Sequence, residues 1–219
     1  LFETCFSMCF TREKSETGDT GMGTAVYIFS RAKTDKTKCR FLSISNCPSE
    51  ALQIPNTEST LLQMIGMFEI ENSNFTENSV DYGSSAFCLS EAPLSNILYT
   101  SFMNCTGPNT IHFISQTTLN CKVSTLNIIN CSCQGGSDEP IAIFAIINSQ
   151  IEVEDSVFAM YDNKNLAKRD KSDKTSNITF NVCIFSSRMS DLVDSDICRF
   201  VDCSFTTSDL KTKIISYFD

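Results

Sequence analysis

The sequence predicts an all-β fold, a right-handed parallel β-helix of about eight coils, on three observations. A bulky apolar anchor recurs at Phe6, Ile44, Phe75, Phe102, Ile128, Phe158, Phe185 and Phe205, and its clearest copies read F-x-x-C or F-x-x-N. The steps between anchors are 38, 31, 27, 26, 30, 27 and 20 residues, and self-similarity at a period of roughly 20 to 50 residues marks a stacked repeat. Between anchors the apolar residues fall in short runs of Ile, Val, Phe, Thr and Ser broken by Asn, Asp and Gly, which suits strands.

Each coil element follows from a column of equivalent positions. Five residues before the anchor stand Cys39, Ile70, Ile97, Val123, Val153, Phe180 and Phe200, all apolar, as an inward-facing strand position requires. Two residues before it come Leu42, Ser73, Thr100, Leu126, Ser156, Cys183 and Cys203, small or modestly apolar. Three residues after it come Cys9, Cys47, Asn78, Cys105, Cys131, Tyr161, Arg188 and Ser208, so the motif is sharpest in the first five coils. A second β-prone run lies between anchors, at Gly21 to Phe29, Ala51 to Ile54, Gly83 to Leu89, Thr110 to Phe113 and Pro140 to Phe144. Val26/Ile28, Leu52/Ile54, Phe87/Leu89 and Ile111/Phe113 keep a period of two within it, so each coil holds at least two strands.

Helical repeats of similar period need stretches of 10 to 15 residues with apolar positions at i, i+3, i+4 and i+7, and the chain lacks them. Leucine-rich repeats fit poorly because the anchor is Phe and no L-x-x-L-x-L frame recurs. Coils stacked at roughly 4.8 Å would form a rod on the order of 35 to 40 Å long, stabilised by nearest-neighbour contacts. Residues 1–219 read as a single β-helix segment, expected to belong to a longer rod or to stack end to end. The basic stretch Lys164 to Lys174 lies where the strand motif is missing, so 162–176 is expected to protrude as a charged loop.

The motif Phe75-Thr-Glu-Asn78, its cysteine variants and the loose G-G-A-I-like element from Gly21 to Tyr27 resemble the repeats of chlamydial polymorphic membrane proteins. They are also similar to repeats in large trichomonad families of surface proteins with the pectin-lyase-like fold. The resemblance spans most of the chain and fades in coils six to eight, where Tyr161, Arg188 and Ser208 replace Asn or Cys. It implies a cell-surface or secreted β-helix used for adhesion or as a structural coat, and names no receptor.

A net charge of -9 and a pI near 4.6 argue against nucleic acid as a partner, because phosphate binding needs clustered cations. No stretch of 18 apolar residues is present, so no membrane span is expected in this segment. The remaining partners are a protein or glycan on a surface, or copies of the chain itself.

Twelve cysteines suggest an oxidising compartment. Cys9 and Cys47, Cys105 and Cys131, and Cys183 and Cys203 occupy equivalent places in neighbouring coils, so each pair is a candidate for a disulfide or for a ladder of thiols. Cys131-Ser-Cys133 is a close doublet, but a single His and no C-x-x-C pair make no structural zinc pattern, and no metal or other cofactor is expected. Sequons occur at Asn74, Asn104, Asn130 and Asn177. Asn46, Asn104 and Asn130 each precede a cysteine after the anchor, which suits a stacked turn. Asn74 and Asn177 are therefore the glycosylation candidates.

A polysaccharide-active enzyme is the alternative class, because many β-helices process acidic polysaccharides and such chemistry needs paired carboxylates or a calcium-bound acidic cluster. Asp191, Asp194 and Asp196 are its candidates, read more simply as a surface turn; His112 falls on a mixed outward column with Tyr27, Gln53 and Cys88. With no Trp to stack on sugar, the sequence points to a non-catalytic structural or adhesive segment, extracellular or at the cell surface. An intracellular structural protein bound along a filament is the remaining alternative.

Overall fold

The computed structural model describes residues 2–7, 25–47, 59–80, 83–134, 141–159, 166–186 and 197–206. Its strands are β1 (Phe2–Ser7), β2 (Val26–Phe29), β3 (Lys36–Ser45), β4 (Ser59–Met64), β5 (Met67–Thr76), β6 (Ser84–Ser90), β7 (Leu94–Met103), β8 (Thr106–Gly107) and β9 (Asn109–Ile129). They continue with β10 (Ser132–Cys133), β11 (Ala142–Glu154), β12 (Val157–Ala159), β13 (Ala167–Arg169), β14 (Asn177–Asn181), β15 (Ile184–Phe185), β16 (Cys198–Val201) and β17 (Ser204–Phe205). Every pairing among them is parallel, and the main sheet runs β1-β3-β5-β7-β9-β11-β14-β16. Sequential parallel pairing with right-handed crossovers is a right-handed parallel β-solenoid. About four turns, from Ser59 to Ala159, are described almost without a break.

Three walls enclose the core. The first runs through β2, β4, β6, the start of β9, the start of β11 and β13. The second contains Lys36–Arg40, Met67–Glu71, Leu94–Leu98, Asn120–Ser124, Gln150–Glu154 and β14. The third is the anchor wall, in which Phe6 faces Ile44, Ile44 faces Phe75, Phe75 faces Phe102 and Phe102 faces Ile128. That column continues from Ile128 through Phe158 and Phe185 to Phe205.

Burial along the strands alternates because successive side chains point to opposite faces. In β5 Phe68, Ile70, Ser73 and Phe75 are buried while Asn72 and Asn74 are exposed; the corner at Asn72 shifts the alternation by one. The anchors stack ring on ring where both are Phe: Phe75–Phe102 at 5.3 Å, Phe158–Phe185 at 4.7 Å and Phe185–Phe205 at 5.1 Å. Such a pair contributes roughly 0.5–1.5 kcal/mol beyond its buried area. Ile128 separates two aromatic clusters, one around Phe68, Phe75, Phe87 and Phe102, the other from Phe144 to Phe205.

Two expected elements differ. The first-wall strand that pairs with Val26–Phe29 is Ser59–Met64; the expected run Ala51 to Ile54 lies outside the described residues. Between β4 and β5 the chain turns at Gly66, whose φ is +91° and whose missing Cβ would sit 2.9 Å from the Asp35 carbonyl oxygen. Within the stretch 162–176, expected to protrude, residues 167–169 form β13 of the first wall, and residues 170–176 form the turn that leads to β14, with Lys171, Ser172, Lys174 and Thr175 exposed. Leu166 and Ala167 are buried in the core, and β13 pairs in register with Phe144–Ile146. Alternation there is carried by only three strand residues between charged neighbours, too short a run to read from sequence. Residues 162–165 lie outside the described residues.

Candidate functional site

The residues that recur in the sequence converge on two corners flanking the anchor strand. At the corner before the anchor, Glu3, Phe41, Asn72, Tyr99, Thr125, Asp155, Val182 and Asp202 all take positive φ, between 48° and 57°. The residues that follow are buried or half-buried, and where they are polar they close the turn. Ser73 Oγ donates to the Glu71 carbonyl at 2.8 Å, Thr100 Oγ1 to Leu98 at 3.0 Å and Ser156 Oγ to Glu154 at 2.7 Å. Where Leu stands instead, the next turn supplies the cap: the Leu42 amide donates to Ser73 Oγ at 3.1 Å, and the Leu126 amide to Ser156 Oγ at 3.0 Å. Cys183 and Cys203 make the same bond with sulfur, donating to Asn181 at 3.4 Å and Val201 at 3.3 Å.

The corner after the anchor repeats the device. Asn46, Glu77, Asn104 and Asn130 have φ of 51°, 56°, 53° and 50°, and Cys47, Asn78, Cys105 and Cys131 follow them inward. The three thiols donate to the carbonyls of Ser45, Met103 and Ile129 at 3.3, 3.6 and 3.6 Å. Asn78 spans two turns, donating to the Ile44 carbonyl and accepting the Cys47 amide, each at 3.1 Å. Asn130 Nδ2 donates to Asn104 Oδ1 at 2.9 Å, an amide ladder on the outside of the corner. The motif F-x-x-C/N is thus an anchor, an outward, mostly half-buried residue, a left-handed turn and an inward cap. It serves because a buried carbonyl must find a donor.

The described cysteines carry thiols, with no disulfide among them. Cys105 and Cys131 are both buried and hydrogen-bond one another. That bond holds the Cys105 thiol below its ordinary range against the opposing effect of burial, and raises Cys131 well above it. Cys183 also meets Cys203, and burial pushes it up to about 12. Cys9 lies outside the described residues, so the pairing of Cys9 with Cys47 does too.

The second wall's outer face carries the charges. Lys38 is ion-paired with Glu69 and, at 3.1 Å, with Glu71; Arg40 pairs with Glu71 at 2.6 Å and Lys122 with Glu154 at 2.8 Å. Burial pushes the Glu71 carboxyl up, but its hydrogen bonds with Glu69, Lys38 and Arg40 outweigh this and hold it at about 2. Exposed pairs of this kind contribute roughly 0–1 kcal/mol each, so the face is a solvated polar surface. Beside it runs a groove of ≈ 320 Å³ lined by Leu94, Asn120, Lys122, Gln150, Glu152 and Asn177. Leu94, Asn120, Gln150 and Asn177 form one register column, eight residues before their anchors. Sequence reasoning missed this groove, and that column was the signal for it.

His112 departs from expectation. Its column starts at Tyr27, which is exposed, but Leu62, Cys88, His112 and Ala145 that follow are all buried, and Gln53 lies outside the described residues. Burial pushes the imidazole down to about 4, and its Nε2 has no hydrogen-bond partner. Asp191, Asp194 and Asp196 lie outside the described residues. Asn74 and Asn177 are exposed; Asn74 Oδ1 accepts from Ser101 Oγ at 2.5 Å.

Another carboxylate emerges inside the expected loop. Asp173 accepts from the amides of Asn148, Thr175 and Ser176 at 2.9, 2.8 and 3.2 Å, and from the hydroxyls of Thr175 and Ser176. Burial pushes its carboxyl up, yet these bonds hold it at about 2.

Among the described residues, no group of three His, Cys, Asp or Glu could hold a metal ion, and no helix is long and apolar enough to cross a membrane. No family model, no curated protein and no solved structure matches the chain. What the geometry gives is a parallel β-solenoid domain, consistent with the general pectin-lyase-like superfamily.

Proposed function

We propose that the chain is a non-catalytic structural or adhesive segment, a rod of eight turns, from a cell-surface or extracellular protein of the polymorphic-membrane-protein type. One observation carries this reading: the recurrent columns are used in stacking or in closing corners. The anchors stack, the residues two before them cap the first corner, and the Asn/Cys positions cap the second. Repetition here serves the rod, and the surface left over is the second wall with its ion pairs and groove. The groove would meet a protein or glycan side-on.

Intact cells of the native source, stained with an antibody to this segment before and after permeabilisation, test the placement. Staining without permeabilisation is expected; staining only afterwards sinks it. Catalysis is tested separately by incubating the chain with uronate polymers, where no new reducing ends are expected.

A second reading, an intracellular structural protein bound along a filament, is favoured by the thiols. Cys183 and Cys203 make the corner bond that Ser73 and Ser156 make, so the cysteine content suits a reducing compartment equally well. Thiol counting on the native protein under denaturing, alkylating conditions separates the two.

A further inference from the structure

We infer that Cys105–Cys131 and Cys183–Cys203 are two specific oxidation sites, each able to close into a disulfide that ties one turn of the solenoid to the next. Register selects these pairs. Met103 faces Ile129 and Thr106 faces Ser132, which puts Cys105 beside Cys131. Asn181 faces Val201 and Ile184 faces Ser204, which puts Cys183 beside Cys203. Adjacent rungs lie about 4.8 Å apart, inside the Cα window for a disulfide of about 4.4–6.8 Å.

The other described cysteines have different neighbours in register. Asn78 stands between Cys47 and Cys105, holding them two rungs apart. Cys88 faces Leu62 and His112, and Cys121 faces Ser95 and Ile151.

Within the first pair the two sulfurs already hydrogen-bond one another. Both are enclosed, so exchange with an outside disulfide follows local opening of the corner. With a small disulfide such as oxidised glutathione, one cysteine of the pair attacks as thiolate, joins one glutathione sulfur and expels the other as glutathione thiolate. The second cysteine, losing its proton, then displaces the remaining glutathione from the first. The protein loses two hydrogens per bridge, and one glutathione disulfide becomes two thiols.

The inference does not depend on compartment and is tested on the purified chain. Reduced, refolded protein is equilibrated with oxidised glutathione, remaining thiols are alkylated with N-ethylmaleimide, and the digest is examined by mass spectrometry. Crosslinked peptides containing 105 with 131 and 183 with 203 are expected, with a rise of roughly 5 °C or more in Tm. The variant Cys131→Ser keeps a hydroxyl at its corner; it is expected to lose only the first bridge and its share of the Tm gain. Bridges between other cysteines, or glutathione left on one cysteine of a pair beside an alkylated partner, overturn the inference. Uniform alkylation overturns it too, provided the unfolded chain forms disulfides under the same oxidant.

Discussion

The two corners on either side of the anchor strand solve one problem with different residues. Both place a residue at φ near +50° and follow it with an inward cap that bonds the carbonyl two residues back. The corner after the anchor fills its left-handed position with Asn46, Glu77, Asn104 and Asn130, mostly the residue type that tolerates it. The corner before the anchor fills it with Phe41, Tyr99, Thr125 and Val182 among others, side chains strained there by roughly 1–2 kcal/mol. Tyr99 and Val182 are also exposed, at 61% and 53%, so burial does not repay the strain locally. Two long strands that must both stack leave this corner no other conformation. One corner follows its local sequence, and the other is imposed by its neighbours.

The sharpest way to break that comparison is at Asn78, where one side chain serves two turns. Asn78→Ala strands the Ile44 carbonyl and the Cys47 amide in a dry interior, with an expected loss of about 3 kcal/mol in chemical denaturation. Ser73→Ala, the nearest equivalent at the imposed corner, likewise strands a carbonyl and an amide, those of Glu71 and Leu42, and is expected to cost a similar amount. A much smaller loss for Ser73→Ala would mean that the two corners are not capped equally.

Charge separates the corners next. Asp173 caps its turn as a carboxylate, whereas the corners beside the anchor are capped by neutral groups. Its folded pKa, about 2, lies below the ordinary value of 3.8, so its contribution is complete above pH 4. As pH falls through about 2 roughly 2 kcal/mol is lost. Asp173→Asn should flatten that part of a stability-versus-pH curve. His112 acts in the same direction at higher pH: with a folded pKa of about 4 against 6.5 when unfolded, stability is full above 6.5 and declines toward 4. His112→Gln tests this by removing the decline between pH 6.5 and 4 and leaving the one near pH 2.

Exchanging turn residues gives a smaller and more diagnostic effect. Val182→Asn is expected to stabilise by about 1 kcal/mol through relief of strain, and Asn104→Val to destabilise by a similar amount. If Val182→Asn is neutral, the imposed corner is not strained. Smallest of all, Cys183→Ser should change Tm by a few degrees at most under reducing conditions, because the hydroxyl reaches the Asn181 carbonyl as the thiol does.

The contrast also explains what was legible. The second corner shows in the sequence because Asn and Cys recur at fixed offsets from Phe75, Phe102 and Ile128. The first leaves only a weak trace, Ser73, Thr100 and Ser156 among Leu and Cys, since the strained position accepts any side chain that points outward. Asp173 was hidden in a run of mixed charge that reads as solvated loop, and its role appears only when Asn148 from the previous turn is brought to it. The Leu94–Asn177 column was hidden because outward residues need no apolar signature.

By itself the sequence determined the strand period, the anchor column, the coil length and the pairs of equivalent cysteines, all of which depend on side chains that must recur to be buried. Tertiary structure alone decided that those cysteines act as corner caps, that His112 is enclosed, that residues 167–169 belong to the wall, and that Phe41 and Val182 adopt left-handed backbone. The reason is physical. Burial in a core leaves a repeated mark on composition, whereas hydrogen-bond closure between turns depends on which residues the stacking sets one rung apart.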